Sequence, residues 1–244
     1  MLKTGPMEKP FQFKQFSIRQ DRCAMKVGTD GVLVGGWTAV DNNPGSILDI
    51  GAGTGLIALM LAQRTMAEII DAIETDAMAF EQCVGNFEAS PWADRLFCYH
   101  AGLEEFAAEV DMRYDLIVSN PPFFSEKTGE TMGSRGQARQ QHSLPFNLLL
   151  KAVKTLLAEQ GTFSLILPAW EAAPFTVLAS EEGLYLHRIC QVRGQPASKV
   201  KRTLMEFRLE GPVLPTRENL VVAHKRHQYT SEYIALTKEF YLKM

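Results

Sequence analysis

The sequence predicts an α/β fold, a mostly parallel, doubly wound sheet of seven strands whose last two form a C-terminal antiparallel hairpin. Three observations carry that expectation. From residue 46 onward, short apolar runs alternate with helix-patterned runs, the pattern that strand–helix–strand units leave in a chain. The first apolar run ends in a glycine-rich turn, Gly51-Ala52-Gly53-Thr54-Gly55. The last two strand-like runs are separated only by residues 193–203, too few for a crossover helix, so they must return as a hairpin.

Taken in order, residues 46–50 read as a strand, 56–64 as a helix, 69–74 as a strand and 77–88 as a helix. Residues 96–99 form a weak strand and 114–119 a strong one. A long helix over 144–158 leads to a buried-type strand at 161–167, and 184–192 and 204–209 supply the closing pair. Two appendages flank this core. Residues 1–45 hold the alternating segment Phe11-Gln12-Phe13-Lys14-Gln15-Phe16, and 231–244 read as a short helix followed by Phe240-Tyr241-Leu242. The expected organisation is an N-terminal extension at 1–45 contributing to a substrate pocket, a ligand-binding domain at 46–210, and a C-terminal extension at 211–244 packed on that domain.

The chain has 244 residues, 46% hydrophobic and 22% charged, with a net charge of -3, which excludes a wholly basic nucleic-acid coat protein but not a local basic face. The four cysteines, Cys23, Cys83, Cys98 and Cys190, include no CxxC pair, so they read as reduced thiols of a cytoplasmic protein and not as disulfides or a zinc site. His224 and His227 make half a metal site with no partner ligands, so no metal is expected. No signal peptide and no apolar run long enough to span a membrane is visible, and nothing points to an obligate protein partner.

The strand–GxGxG–helix unit has a direct physical meaning. Glycines let the backbone turn tightly and aim amide N–H groups and a helix N-terminus at a ligand beyond the strand ends. Glu74 ends the next strand, about 20 residues on, where a carboxylate can accept both hydroxyls of a ribose. This much also suits a dinucleotide. Asp49, immediately before the glycines, decides for S-adenosyl-L-methionine: a carboxylate there meets an ammonium favourably and would repel a pyrophosphate. Asp49, Gly51, Gly53, Gly55 and Glu74 are thus the expected cofactor residues, with Leu103, in the loop after the third strand, either a contact to the adenine ring or the first core residue of the next helix.

The fourth strand ends in Ser119-Asn120-Pro121-Pro122-Phe123-Phe124. An exocyclic amine on a base ring is a poor nucleophile because its lone pair is delocalised. Accepting its hydrogens on the Asn120 oxygen and the Pro121 carbonyl localises that pair. Pro121 and Pro122 fix the backbone that holds the geometry, and Phe123 can stack on an extruded base. Asn120 also borders the cofactor, and this tetrad at this place resembles the amino-methyltransferases acting on adenine-N6, cytosine-N4, guanine-N2 and glutamine-N5. The shape of the sheet is likewise that of the Rossmann-like class I methyltransferase fold.

The segments Phe11–Phe16, Lys26-Val27-Gly28-Thr29-Asp30-Gly31-Val32-Leu33, Leu48–Ile57 and Asn120–Phe124 together resemble the bacterial tRNA1(Val) (adenine-N6)-methyltransferase family, over nearly the whole chain. That resemblance implies methylation of the adenosine 3′ of the anticodon. It also implies that Lys26, Thr29 and the Gly28–Gly31 segment close over the methionine end or the target base, although the same residues read equally as a turn into a helix. A tRNA partner needs phosphate contacts. Residues 1–30 hold Lys3, Lys9, Lys14, Arg19, Arg22 and Lys26 against Glu8, Asp21 and Asp30; Arg193, Lys199, Lys201 and Arg202 follow without an acid, and Lys225 and Arg226 form a third group. The polar stretch 125–143 is expected to act as a lid. Three other readings compete: a glutamine-N5 protein methyltransferase, a guanine-N2 rRNA methyltransferase, and a non-catalytic RNA- or nucleotide-binding module that has kept the fold.

Overall fold

The computed structural model describes residues 9–122 and 144–243. Its centre is an eight-stranded sheet. Strands β3 (Ser46–Ile50), β4 (Ile69–Glu74), β5 (Leu96–His100), β6 (Tyr114–Ser119) and β7 (Leu157–Pro168) run parallel, β9 (Val200–Arg208) is reversed between β7 and β8 (Tyr185–Arg193), and β10 (Thr216–Val221) adds to the outer edge of β8. The order is β10-β8-β9-β7-β6-β3-β4-β5. Small pairs β1–β2 (Phe11–Gln12 with Ser17–Ile18) and β11–β12 (Ala223–Lys225 with Gln228–Tyr229) lie outside it.

Strand β3 shows why the sheet is sandwiched. Ile47 packs with the apolar cluster under α1 (Thr29–Trp37), α2 (Leu56–Arg64) and α3 (Ala77–Glu88), whereas Leu48 and Ile50 face the cluster under α4 (Leu103–Glu109), α5 (Phe146–Leu156) and α6 (Ala172–Glu181). A central parallel strand buried on both faces needs this continuous apolar run. Helix α2 is likewise apolar nearly all round, with Leu56 to Ala62 buried. Helix α3 starts at Asp76, whose carboxylate accepts from Ala79 N at 2.8 Å, an N-cap that satisfies an otherwise orphaned amide.

The seven expected strands are present, and β10 is an addition. Its burial alternates only weakly because it is an edge strand with solvent on one side, so its sequence carries little strand signal. To reach that edge the chain crosses the start of β8 with Gly211 against the Tyr185 ring, where no side chain would fit. The expected helix at 144–158 ends earlier: Leu157 already pairs with Tyr114, and a bulge between Tyr114 and Leu116 restores register further along. The alternating segment at 11–16 is a tight hairpin, not a longer strand. Phe13 stacks on Phe16 at 4.6 Å and on Tyr241 at 5.7 Å, and Lys14 N donates to Phe240 O. The segments around Phe13 and Tyr241 therefore pack together, with α7 (Ser231–Thr237) leading into the contact.

Candidate active site

Strands β3, β4 and β6 deliver their carboxyl ends to one edge of the sheet, and with them Asp49, the Gly51–Gly55 turn, Glu74 and Asn120. After β3 the chain turns at Gly51 (φ +74°), Gly53 (+56°) and Gly55 (+79°), left-handed conformations that glycine adopts without strain. Gly51 N and Ala52 N both donate to Ile73 O at 3.0 Å, pinning the loop to β4. The three glycines are not equivalent. A Cβ on Gly55 would meet the Phe87 ring at 2.5 Å and Cys83 Sγ at 2.9 Å, so Gly55 serves helix packing. Among the described residues Gly51 and Gly53 have nothing within 4 Å of that position, so their bare faces are open to a ligand.

Glu74 locks the loop. Its Oε2 accepts from Gly53 N at 2.8 Å, and its Oε1 accepts from Thr75 N and Asp76 N. Each carboxylate oxygen has two lone pairs, so Oε2 keeps acceptor capacity for a further hydroxyl. Beside it, His100 lies 3.0 Å from Thr75 O through Nε2 and stacks on Phe80 at 5.2 Å, forming an aromatic wall at the ends of β4 and β5.

Asp49 is fully buried, and its Oδ2 accepts from Ala58 N at 3.2 Å in the first turn of α2. Burial, added to by the Glu74 carboxylate and opposed by the Ala58 N–H, pushes its pKa up to about 7. Its Oδ1 is buried with no hydrogen-bond partner among the described residues. The side-chain oxygen of Asn120, next after β6, is in the same condition. Buried polar atoms are normally satisfied, so an orphan asks for an explanation. Gln63, Asp71 and Arg208 also carry one orphaned atom each, but Asp49 and Asn120 are the pair on adjacent strands at this edge. Ser119 Oγ donates to Ile50 O at 2.9 Å and ties the two strand ends together. Pro121 is buried and Pro122 exposed, while Phe123 and the 125–143 stretch lie outside the described residues.

The N-terminal segment reaches this edge through side-chain amides. Asn86 of α3 accepts from Arg19 N at 2.9 Å and donates to Arg19 O at 3.0 Å and to Thr54 O at 2.8 Å, bridging the segment to the glycine loop. Gln82, one turn earlier, accepts from Arg22 N at 3.0 Å and donates to Asp21 at 2.7 Å. Sequence reasoning missed both residues; two polar amides four apart on the buried face of α3 were the available signal. Cys23 follows in the same segment, and burial together with the Glu74 and Asp76 carboxylates pushes its thiol up to about 12, which sets the segment next to the acid of β4. Lys26 is exposed, and Thr29 is the first residue of α1, whose Asp30 pairs with Arg202 at 2.8 Å. Leu103 is 6% exposed and packs with Leu48, Ile50 and Phe106, so its side chain belongs to the core. Among the described residues no group of three or more His, Cys, Asp or Glu could hold a metal, and no helix is long and apolar enough to cross a membrane.

This donor set fits S-adenosyl-L-methionine. The cofactor carries an ammonium for an orphaned carboxylate oxygen, ribose hydroxyls for Glu74, and bulk for the open faces of Gly51 and Gly53. Residues 37–165 match the family described as Methyltransferase small domain. The fold is shared with solved structures at low identity. The Agrobacterium tumefaciens protein Atu636, a predicted O-methyltransferase, gives a TM-score of 0.68 at 17% identity over 86% of this chain and 96% of that one. The glycopeptide N-methyltransferase MtfA, solved with S-adenosyl-L-methionine, gives 0.55 at 14% identity over 76% of this chain and 100% of that one. Fold, site and family define the class: an S-adenosyl-L-methionine-dependent methyltransferase.

Within that class the likeness is much narrower. The tRNA1(Val) (adenine(37)-N6)-methyltransferase of Flavobacterium johnsoniae is 56% identical over 96% of this chain and 100% of its own length. That of Bacteroides fragilis is 44% identical over 98% of this chain and 100% of its own. The chain belongs to the tRNA1(Val) (adenine(37)-N6)-methyltransferase family.

Proposed function

We propose that this protein methylates N6 of an adenosine in tRNA, the one adjacent to the anticodon of tRNA1(Val), in the cytoplasm. The observation that carries the chemistry is the orphaned Asn120 oxygen, buried at the end of β6 and held beside β3 by the Ser119–Ile50 hydrogen bond. The names of the close relatives carry the choice of substrate.

In this reading Asn120 Oδ1 and the Pro121 carbonyl each accept one hydrogen of the adenine amine. Accepted in this way, the two hydrogens favour a pyramidal nitrogen, which takes its lone pair out of conjugation with the ring and localises it on nitrogen. Pro121 and Pro122 fix φ on both sides of the second acceptor, so little reorganisation remains at the moment of reaction. S-adenosyl-L-methionine, when bound, supplies an electrophilic methyl carbon on a sulfonium. Asp49 Oδ1 takes the ammonium, Glu74 the ribose hydroxyls, and Gly51 and Gly53 leave room for the ligand against the loop, with Gly55 letting α3 pack behind it. Residues 1–45 form a substrate-side extension in which Lys26 and Thr29 border the methionine end, 46–210 the catalytic domain, and 211–244 a C-terminal extension. Phe123 stacks on the base. Leu103 opens α4 after β5, where the adenine ring would lie. No strong base is required, because the amine loses its proton to solvent after transfer.

The test incubates labelled S-adenosyl-L-methionine with total tRNA, and in parallel with ribosomes and protein extract, from a strain lacking the gene, and then locates the label by nucleoside and peptide analysis. N6-methyladenosine in tRNA1(Val) is expected. Label in protein would establish a glutamine-N5 reading, label in rRNA guanine a guanine-N2 one, and no label at all a binding module.

A further inference from the structure

Trp170 is the exposed tryptophan of this chain: its residue is 56% exposed, whereas Trp37 is 6% exposed and Trp92 half-buried. It stands at the same edge of the sheet as Asn120. Ser119 pairs in register with Leu165 of the neighbouring strand β7, which continues to Pro168 and then turns into Trp170. The reversed strand β9 begins there too, with Arg202 opposite Pro168 and Lys201 O accepting from Ala169 N at 3.2 Å. Lys199 and Lys201 are exposed beside this turn, and residues 193–203 contain no acid. Arg202 reaches the first turn of α1 through Asp30, so the Thr29 region, the basic start of β9 and the Trp170 turn are joined along one rim.

The indole N–H donates to Glu171 at 3.0 Å, so the ring's polar edge is satisfied within the protein and what it offers to solvent is apolar. Ala173 and Pro174 are exposed beside it in the first turn of α6, and Val177, one turn on, is 57% exposed. A large aromatic kept out of the core, next to lysines and near a reaction site, is the combination that single-stranded nucleic acid requires: stacking for a base and cations for its phosphates. An apolar protein partner would not need the lysines, and a duplex would not need the ring.

We infer that Trp170 is a stacking platform for an unpaired base next to the target adenosine, with Lys199 and Lys201 holding the adjoining phosphates. This inference rests on tRNA being the substrate, and it assigns the strand-β7 turn to recognition of the loop, apart from Phe123 and the methyl-transfer site.

The experiment uses the full chain and unmodified tRNA. Trp170→Ala should raise KM for tRNA about 5- to 150-fold, the range expected for one lost base stack, while affinity for S-adenosyl-L-methionine stays within about twofold. Trp170→Phe should recover most of the loss, because a phenyl ring stacks but cannot donate to Glu171. Binding of tRNA should quench tryptophan fluorescence in the parent and much less in Trp170→Phe. Lys201→Ala should flatten the salt dependence of binding by roughly one phosphate's worth of slope, about 0.7 for a single strand. Unchanged KM in Trp170→Ala, or an equal loss in Trp170→Phe, would overturn the stacking role. Failure of the underlying reading would look different: the parent protein itself would not methylate tRNA.

Discussion

Asp49 and Glu206 are both buried acids of the same sheet, 0% and 3% exposed, and burial raises the pKa of each. Their surroundings are opposite. Glu206 accepts from Ala39 N at 2.8 Å and pairs with Arg188 at 3.4 Å; Arg188 also binds Glu218 at 2.7 Å, lies 4.0 Å over the Trp37 ring, and Trp37 donates to Glu218 at 2.8 Å. The network joins α1 to β8, β9 and β10. Asp49 instead keeps one oxygen without a partner among the described residues, on the strand beside the one that leads into the equally unsatisfied Asn120. A satisfied buried polar network holds a framework together; an unsatisfied one at an open edge is a place prepared for a ligand.

That contrast can be broken most forcefully at the framework. Removing the cation with Arg188→Ala leaves Glu206 buried without its counter-charge, at a cost of about 3 kcal/mol or more. For a chain of this size that lowers the melting temperature by about 10 °C, read by calorimetry. The surviving folded protein should bind S-adenosyl-L-methionine normally. Gly55→Ala should be nearly as damaging, about 3 kcal/mol, because left-handed strain adds to the clash with Phe87 and Cys83. Gly53→Ala, by contrast, has room for its methyl group and should cost only about 1 kcal/mol of stability. Its damage should appear as weakened cofactor affinity in titration calorimetry.

The fold was legible to a close approximation, and for a physical reason. A parallel strand buried on both faces must be apolar throughout, and a left-handed turn strongly favours glycine, so β3, β4, β6 and the Gly51–Gly55 loop announce themselves locally. Asp49, the acid proposed for the cofactor's ammonium, was singled out by its place before that loop, and its burial with one oxygen unpartnered among the described residues supports that reading. What was hidden depends on distant partners. Asn86 and Gln82 acquire their meaning from backbone groups 67 and 60 residues away, and β10 is a mostly polar edge strand. Trp170 could not be singled out because exposure is a property of the packed sheet, not of the residue.

A smaller effect sharpens the electrostatic half of the comparison. Asp49 titrates near 7 instead of its ordinary 3.8, so between those values the folded protein holds a proton that the unfolded chain has released. Stability conferred by that group is full below pH 4 and is lost as pH rises through about 7. An ammonium set against the carboxylate favours the charged form, so cofactor affinity moves the other way. Binding should be about tenfold weaker at pH 6 than at pH 8, with proton release on binding in calorimetry below pH 7. Asp49→Asn should abolish this pH dependence and weaken binding at pH 8.

The most direct test separates binding from chemistry at the second orphaned oxygen. In Asn120→Ala, single-turnover methylation of tRNA should fall by about 100-fold or more, the usual scale for losing one hydrogen-bonding group that acts on the transition state, while the dissociation constant for S-adenosyl-L-methionine stays within about twofold. A rise in that constant large enough to match the lost rate would contradict the role given to Asn120 and make it part of the framework.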